Sequence, residues 1–123
     1  MPIRGIRGAT TVSADDPELI LEATRELLEA ILQQNESMEP EDVASALFTV
    51  TDDLASTFPA QGARQMGWGL VPMLCAREIP VPNSLTRVIR VLVHWNTELK
   101  QNEITHVYLR KAVKLRPDLV AAQ

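Results

Sequence analysis

An α/β fold, a mixed sheet with helices packed on it, is what this 123-residue chain predicts. Three observations carry that expectation. Short β-branched runs alternate with amphipathic stretches at helical spacing, in the order β-α-β-α-β-β-α. No repeat, linker or low-complexity segment divides the chain, so residues 1–123 read as one domain. The fourth strand-like run, Val88-Ile89-Arg90-Val91-Leu92-Val93, is too short and too β-branched for a helix, yet carries a charge at its centre.

Residues 3–12 read as the first strand, with glycines at 5 and 8 where backbone or ligand can approach closely. Asp15-Asp16-Pro17-Glu18 then starts a helix, with acidic caps and proline in the first turn. Its spacing puts Ile20, Ala23, Leu27 and Ile31 on one face, and it ends near Asn35. Met38 to Asp42 makes a turn, and Val43 to Thr51 a strand closed by Asp52-Asp53. Pro59 opens a second helix that contains Gln61 and Arg64 and stops at Gly67. Val71 to Cys75 is a short strand, followed by the extended Ile79-Pro80-Val81-Pro82-Asn83. Val88 to Trp95 is the central strand. Asn102 to Val113 predicts a last helix displaying Ile104, Val107, Tyr108 and Ala112, before a tail that begins at Leu115-Arg116-Pro117.

Composition narrows the function classes. Hydrophobic residues make up 46% and aromatics only 4%, which requires an aliphatic core. No apolar stretch approaches the roughly 20 residues that span a bilayer, and the N-terminus shows no signal-peptide core. With one cysteine, Cys75, the chain has no internal disulfide and no paired metal-binding thiols, and a reducing cytoplasm is expected. A net charge of −4 and a pI near 5.1 argue against nucleic acid or an anionic membrane as partner. Nine of the twelve basic residues are arginine, the side chain that grips carboxylates bidentately.

No nucleophile elbow, zinc-binding helix, phosphate loop or dinucleotide fingerprint occurs. His94 and His106 lack metal-ligand spacing and read as a strand-end and a helix-surface residue; Asp52-Asp53 reads as an acidic turn. What remains is Arg7, Arg64, Arg90, Arg116, Glu78, Cys75 and Tyr108. Most of these have ordinary readings: Arg64 and Arg116 as solvated charges, Cys75 as a small core residue, Tyr108 as core or rim, Glu78 as a partner of Arg77 or Arg87. Arg90 is different. Period two places it with Val88 and Leu92, against Ile89, Val91 and Val93 on the other face. Arginine cannot shed its charge, so such a position needs a permanent anionic partner, either a carboxylate such as Glu78 or a ligand. Several fixed cations and one carboxylate among apolar strands suit a small dianion.

The run Ile3-Arg4-Gly5-Ile6-Arg7-Gly8-Ala9-Thr10-Thr11-Val12 resembles the first strand of the monofunctional chorismate mutases of the trimeric type. Phe58-Pro59-Ala60 with Arg64, Val71-Pro72, Cys75 with Glu78, Ile89-Arg90-Val91 and His106-Val107-Tyr108-Leu109 are similar too, as is Leu115-Arg116-Pro117-Asp118-Leu119. The motifs keep their order across nearly the whole chain. The resemblance implies a homotrimeric pseudo-barrel with active sites at subunit interfaces. It also implies the cofactor-free rearrangement of chorismate to prephenate, with no metal, nucleophile or proton transfer. The substrate is a dianion, and its transition state places partial negative charge on the ether oxygen, where a fixed cation stabilises it selectively.

Carried over by position, Arg90 resembles the donor to the ether oxygen and one carboxylate, and Arg7 the ligand of the other carboxylate. Glu78 and Cys75 resemble the pair that engages the ring hydroxyl, and Tyr108 a neighbour of the substrate. Phe58, Ala60 and Leu115 look like apolar walls, Met73 and Leu74 like contacts, and Arg64 and Arg116 like peripheral capture charges. The 58–64 helix and the 73–75 strand are expected from one subunit and Arg90 from its neighbour. Two departures stand out: Gln61 where some relatives carry lysine, and Met73-Leu74 in place of a more polar pair. Two rival readings keep the fold. One is similarity to trimeric enamine and imine deaminases; the other is a non-catalytic trimeric sensor of an aromatic-pathway metabolite.

Overall fold

The computed structural model describes residues 1–116. Its centre is a five-stranded mixed sheet in the order β3-β2-β4-β1-β5. The strands are β1 (Ile3–Thr11), β2 (Val43–Val50), β3 (Met73–Arg77), β4 (Val88–Asn96) and β5 (Val107–Tyr108). β4 runs antiparallel to both β1 and β2, while β3 joins β2 and β5 joins β1 in parallel.

The long helix α1 (Pro17–Gln34) starts where its caps predict: Asp16 accepts from the Leu19 amide, and Pro17 occupies the first turn. Ile20, Ala23, Leu27, Leu28 and Ile31 are buried against Ile6, Phe48, Ile89, Val91 and Val93 of the sheet. The close approach needs Gly8, since a Cβ there would lie 2.9 Å from Ile31 Cδ1 and 3.1 Å from Val91 Cγ1. The short helix α2 (Ala60–Gln65) packs on α1, and Gly67 leaves it with a φ of +94°. Among the described residues, neither α1 nor α2 packs on the opposite face of the sheet. Along β2 and β4, side chains alternate between core and this open face, which receives Leu47, Thr49, Arg90 and Leu92.

The mixed sheet and the first four strands are as the sequence predicts, with β3 shifted to Met73–Arg77 because Val71 closes a turn on the Trp68 carbonyl. The last predicted helix, Asn102 to Val113, is corrected. That segment folds as a 3-10 turn (Gln101–Glu103), strand β5 and a second 3-10 stretch (Arg110–Leu115). The free edge of β1 needs partners for its backbone groups, and pairing of Gly8 with Val107 and Ala9 with Tyr108 outweighs a local helical spacing. Asn35 secures the approach: its side-chain amide donates to the Thr105 carbonyl and accepts the Thr105 amide, both at 3.0 Å, and also donates to the Ile31 carbonyl of α1 at 2.9 Å. His106, expected on a helix surface, instead sits at the β1 edge. Pro117, Asp118 and Leu119 lie outside the described residues.

Candidate active site

Strand register builds the site. Arg90 on β4 stands opposite Ala9 on one side and Thr49 on the other, and Ala9 in turn stands opposite Tyr108. Paired residues share a face, so Thr49, Arg90, Ala9 and Tyr108 form one rung across the open face. The next rung holds Arg7 opposite Leu92 and Leu92 opposite Leu47. Ala9 is small, and the space between Arg90 and Tyr108 opens as a cleft of about 200 Å³, lined also by Arg7, Glu78, Leu47 and Leu92.

Glu78 follows β3, with its amide bonded to the Val50 carbonyl at 3.0 Å. Its carboxylate reaches over β2 to Thr49, whose hydroxyl donates to Oε2, and to Arg90 Nε, 3.4 Å from the same oxygen. Arg90 and Glu78 are half-buried, with side-chain exposures of 35% and 23%, so each is open to the cleft. Tyr108 Oη is buried and has no hydrogen-bond partner among the described residues. A buried phenol with no partner among the described residues, in a cleft it shares with Arg7 and Arg90, is a candidate contact for a polar ligand.

His106 supports Arg7. Its Nδ1 accepts the Arg7 backbone N–H at 2.9 Å, where a strand carbonyl would otherwise be expected. Nδ1 can accept only in the neutral ring, with the proton on Nε2. Burial, and then the charge of Arg7, push the His106 pKa below its ordinary value. Folding therefore favours the neutral ring. The stability this contributes is present above the unfolded value of about 6.5 and is lost as pH falls through the lower folded value. We expect KM to rise as pH falls below about 6.5, because a protonated His106 can no longer accept the Arg7 backbone N–H and releases that strand. His106→Asn, which keeps an acceptor that does not titrate, should flatten that acid limb. An acid limb of KM that is the same in His106→Asn as in the unaltered protein would exclude the role.

The other expected site residues lie elsewhere. Cys75 stands opposite Phe48, whose side chain fills the core, so Cys75 points away from the face that carries Arg90. It lines a second cleft of about 280 Å³ with Phe58, Pro59 and Arg77. Phe58 is 69% exposed there. Ala60 is buried in the chain's own core, and Met73 packs against it. Leu74 shares the open face with Leu47 and is exposed. Arg64 is exposed and hydrogen-bonds Gln61 at 3.2 Å. Leu115 ends the last 3-10 stretch, and Arg116 borders a separate groove beside His106 and Tyr108.

One described chain thus unites Arg7, Glu78, Arg90 and Tyr108 and holds Phe58 and Cys75 apart from them. Thr49, His106 and the aliphatic floor of Leu47 and Leu92 are additions that the sequence reading did not identify. Among the described residues, no group of three or more His, Cys, Asp or Glu side chains is placed to hold a metal ion. No helix there is long and apolar enough to cross a membrane.

Comparison with known proteins agrees over nearly the whole chain. The family model for chorismate mutase type I matches residues 3–119. Chorismate mutase AroH of Thermus thermophilus is 59% identical over 121 residues, which is 98% of this chain and 99% of that protein. The AroH chorismate mutase of Bacillus subtilis is 48% identical over 97% of this chain and 94% of its own. The solved structure of a chorismate mutase from Clostridium thermocellum superposes with a TM-score of 0.86 at 45% identity, covering 89% of this chain and 96% of that one. With identity of this depth spread over one common fold, the chain belongs to the type I chorismate mutase family.

Proposed function

We propose that chorismate is held in the cleft between Arg90 and Tyr108 and rearranges there to prephenate by electrostatic and conformational stabilisation of the transition state. By family the protein is a chorismate mutase, an isomerase of aromatic amino-acid biosynthesis. The observation that carries the site assignment is the single rung on which Arg90 and Tyr108 flank Ala9, with Arg7 one rung away. Arg7 and Arg90 take one carboxylate each, and the Arg90 guanidinium also faces the ether oxygen. As the C–O bond breaks, charge grows on that oxygen and the fixed cation binds the transition state more tightly than the substrate. Glu78, oriented by Thr49, takes the ring hydroxyl. Tyr108 donates its unused phenol, and Leu47 and Leu92 hold the side chain in the compact, reactive geometry. No covalent intermediate or proton transfer is needed.

The same reading makes the active unit a homotrimer in which a neighbouring copy brings Phe58, Arg64, Cys75 and the backbone edge of β3 at Met73 and Leu74 against the Arg90 cleft. Support comes from the placement of Cys75 and Arg90 on opposite faces of one sheet, too far apart in orientation to meet around one small molecule. The face away from α1 and α2 adds to it, since exposed Leu74 lies beside Leu47 and Leu92 on strands that a second copy can cover. A cytoplasmic setting suits the free Cys75 thiol.

A chorismate depletion assay by ultraviolet absorbance, with prephenate identified as product, tests the reaction. Turnover without added metal or cofactor supports it. Saturable binding without turnover would replace it with a metabolite sensor, and no binding would remove the site assignment. Ionic strength gives a second check. Arg7 and Arg90 border an open cleft, so raising salt from about 0.01 to 0.5 M should raise KM more than it lowers kcat, as screening weakens capture of the dianion. A fall in kcat at constant KM would count against electrostatic capture.

A further inference from the structure

The eight residues from Thr51 to Phe58 connect β2 to α2 with no strand or helix of their own. Several of their backbone groups still find partners, and two side chains make four of those hydrogen bonds. The Arg77 guanidinium donates through Nη1 to the Thr51 carbonyl at 2.9 Å and to the Leu54 carbonyl at 2.6 Å. From the start of α1, Asp15 Oδ1 accepts the Ala55 and Ser56 amides, both at 3.0 Å. One side chain thus holds carbonyls and the other holds amides, and the two attract each other as opposite charges. The hydrogen bonds to Ser56 and Ala55, with Arg77 adding a smaller attraction, keep the Asp15 carboxyl below its ordinary pKa. Just past the clamped stretch stands Phe58, exposed and followed directly by the buried Pro59 and Ala60.

We infer that Arg77 and Asp15 form a two-sided clamp whose function is to position Phe58 as a wall of the substrate site. The inference rests on the composite site proposed above, and it assigns work to Arg77, at the border of the Cys75–Phe58 cleft, and to Asp15, which lies outside it. Arg77 is a positioning residue: it touches the connection, and the connection carries the wall. Without the clamp, the Thr51 and Leu54 carbonyls and the Ala55 and Ser56 amides fall back on water, and the connection samples conformations that binding must then order. An ordering cost of this kind weakens substrate binding and leaves the chemical step alone.

The test pairs kinetics with hydrogen exchange. Arg77→Met, which keeps the length of the side chain and removes its donors, should raise KM about three- to tenfold with kcat changed less than about twofold. Arg77→Lys, which can still reach one carbonyl, should recover part of the loss. In a Phe58→Ala background the Arg77→Met effect on KM should vanish, because the wall that the clamp positions is gone while α2 keeps its own packing on α1. Amide exchange at Leu54, Ala55 and Ser56 in the substrate-free protein should quicken in Arg77→Met and in Asp15→Ala. Unchanged exchange at those amides would overturn the clamp, whether or not chorismate turns over. A KM effect that persists undiminished with Phe58→Ala would overturn the positioning role. A loss of kcat at constant KM would do the same, since it would mean a smaller active fraction. If the unaltered protein failed to turn over chorismate, the proposed function would fall, while faster exchange would still support the clamp.

Discussion

Arg90→Ala is expected to lower kcat for chorismate by about 10³-fold or more, with the fold intact. A single neutral donor to a developing oxyanion supplies about 10²–10³ in rate, and a charged donor is roughly twice as strong as a neutral one. The expectation is specific to Arg90 because of its place. β4 is paired on both edges, so the backbone beneath Arg90 cannot drift, and the Thr49–Glu78 contact holds the carboxylate beside it. The stability cost should be small, since the ion pair with Glu78 is partly exposed and such pairs contribute little. Circular dichroism and assembly mass should therefore match the unaltered protein. Arg90→Lys is the sharper version. Lysine keeps the charge but offers a compact ammonium in place of a planar fork, and it cannot serve a carboxylate and an ether oxygen together in fixed geometry. A loss of about 10²-fold or more in kcat is expected. Near wild-type kcat with lysine would remove the electrostatic role assigned to Arg90. So would a bell-shaped dependence of kcat between about pH 6 and 9, where arginine does not titrate.

The sequence revealed the face of each strand but not its neighbours. Period two alone separates Arg90 and Leu92 from Ile89, Val91 and Val93, and the structure keeps that division. α1 was equally legible, because Asp16, Pro17 and the Ile20-to-Ile31 stripe are local signals that tertiary packing reinforces. The order β3-β2-β4-β1-β5 is not local. It is fixed by which strands share a face across loops of different length, so Thr49 beside Arg90 and Ala9 beside Tyr108 could not be read from spacing. The last helix failed for a related reason: the edge of β1 sets the conformation of residues 106–108, and that edge lies a hundred residues away in sequence. Cys75 and Glu78 carry a different lesson. Their names suggest a pair, yet residues three apart along an extended chain face opposite ways. Cys75 accordingly follows Phe48 to the core side, and Glu78 turns toward Thr49. Reading them as partners on one substrate is consistent with strand geometry only if the two belong to different chains.

That requirement leads to the second large effect: two inactive variants should restore each other when mixed. Arg90→Ala disables the cleft on the open face of the sheet. Phe58→Asp should disable the other half by setting a carboxylate against a dianionic substrate, and since Phe58 is 69% exposed, the change costs the fold of its own chain little. In a closed ring of three copies, every site would draw its Arg90 half from one chain and its Phe58 half from the next. After co-refolding equal amounts of the two variants, one pairing in four brings together an intact Arg90 and an intact Phe58. Activity should then rise from near zero to about a quarter of the unaltered protein, at a mass of about three chains. A site contained within one chain predicts something else. Each variant would remain inactive in any mixture, because no chain carries both intact residues. The mixing experiment therefore decides between the two arrangements without relying on the size of either single effect. The opposite facing of Cys75 and Arg90 is the reason to expect restoration, since these two side chains leave opposite faces of one sheet.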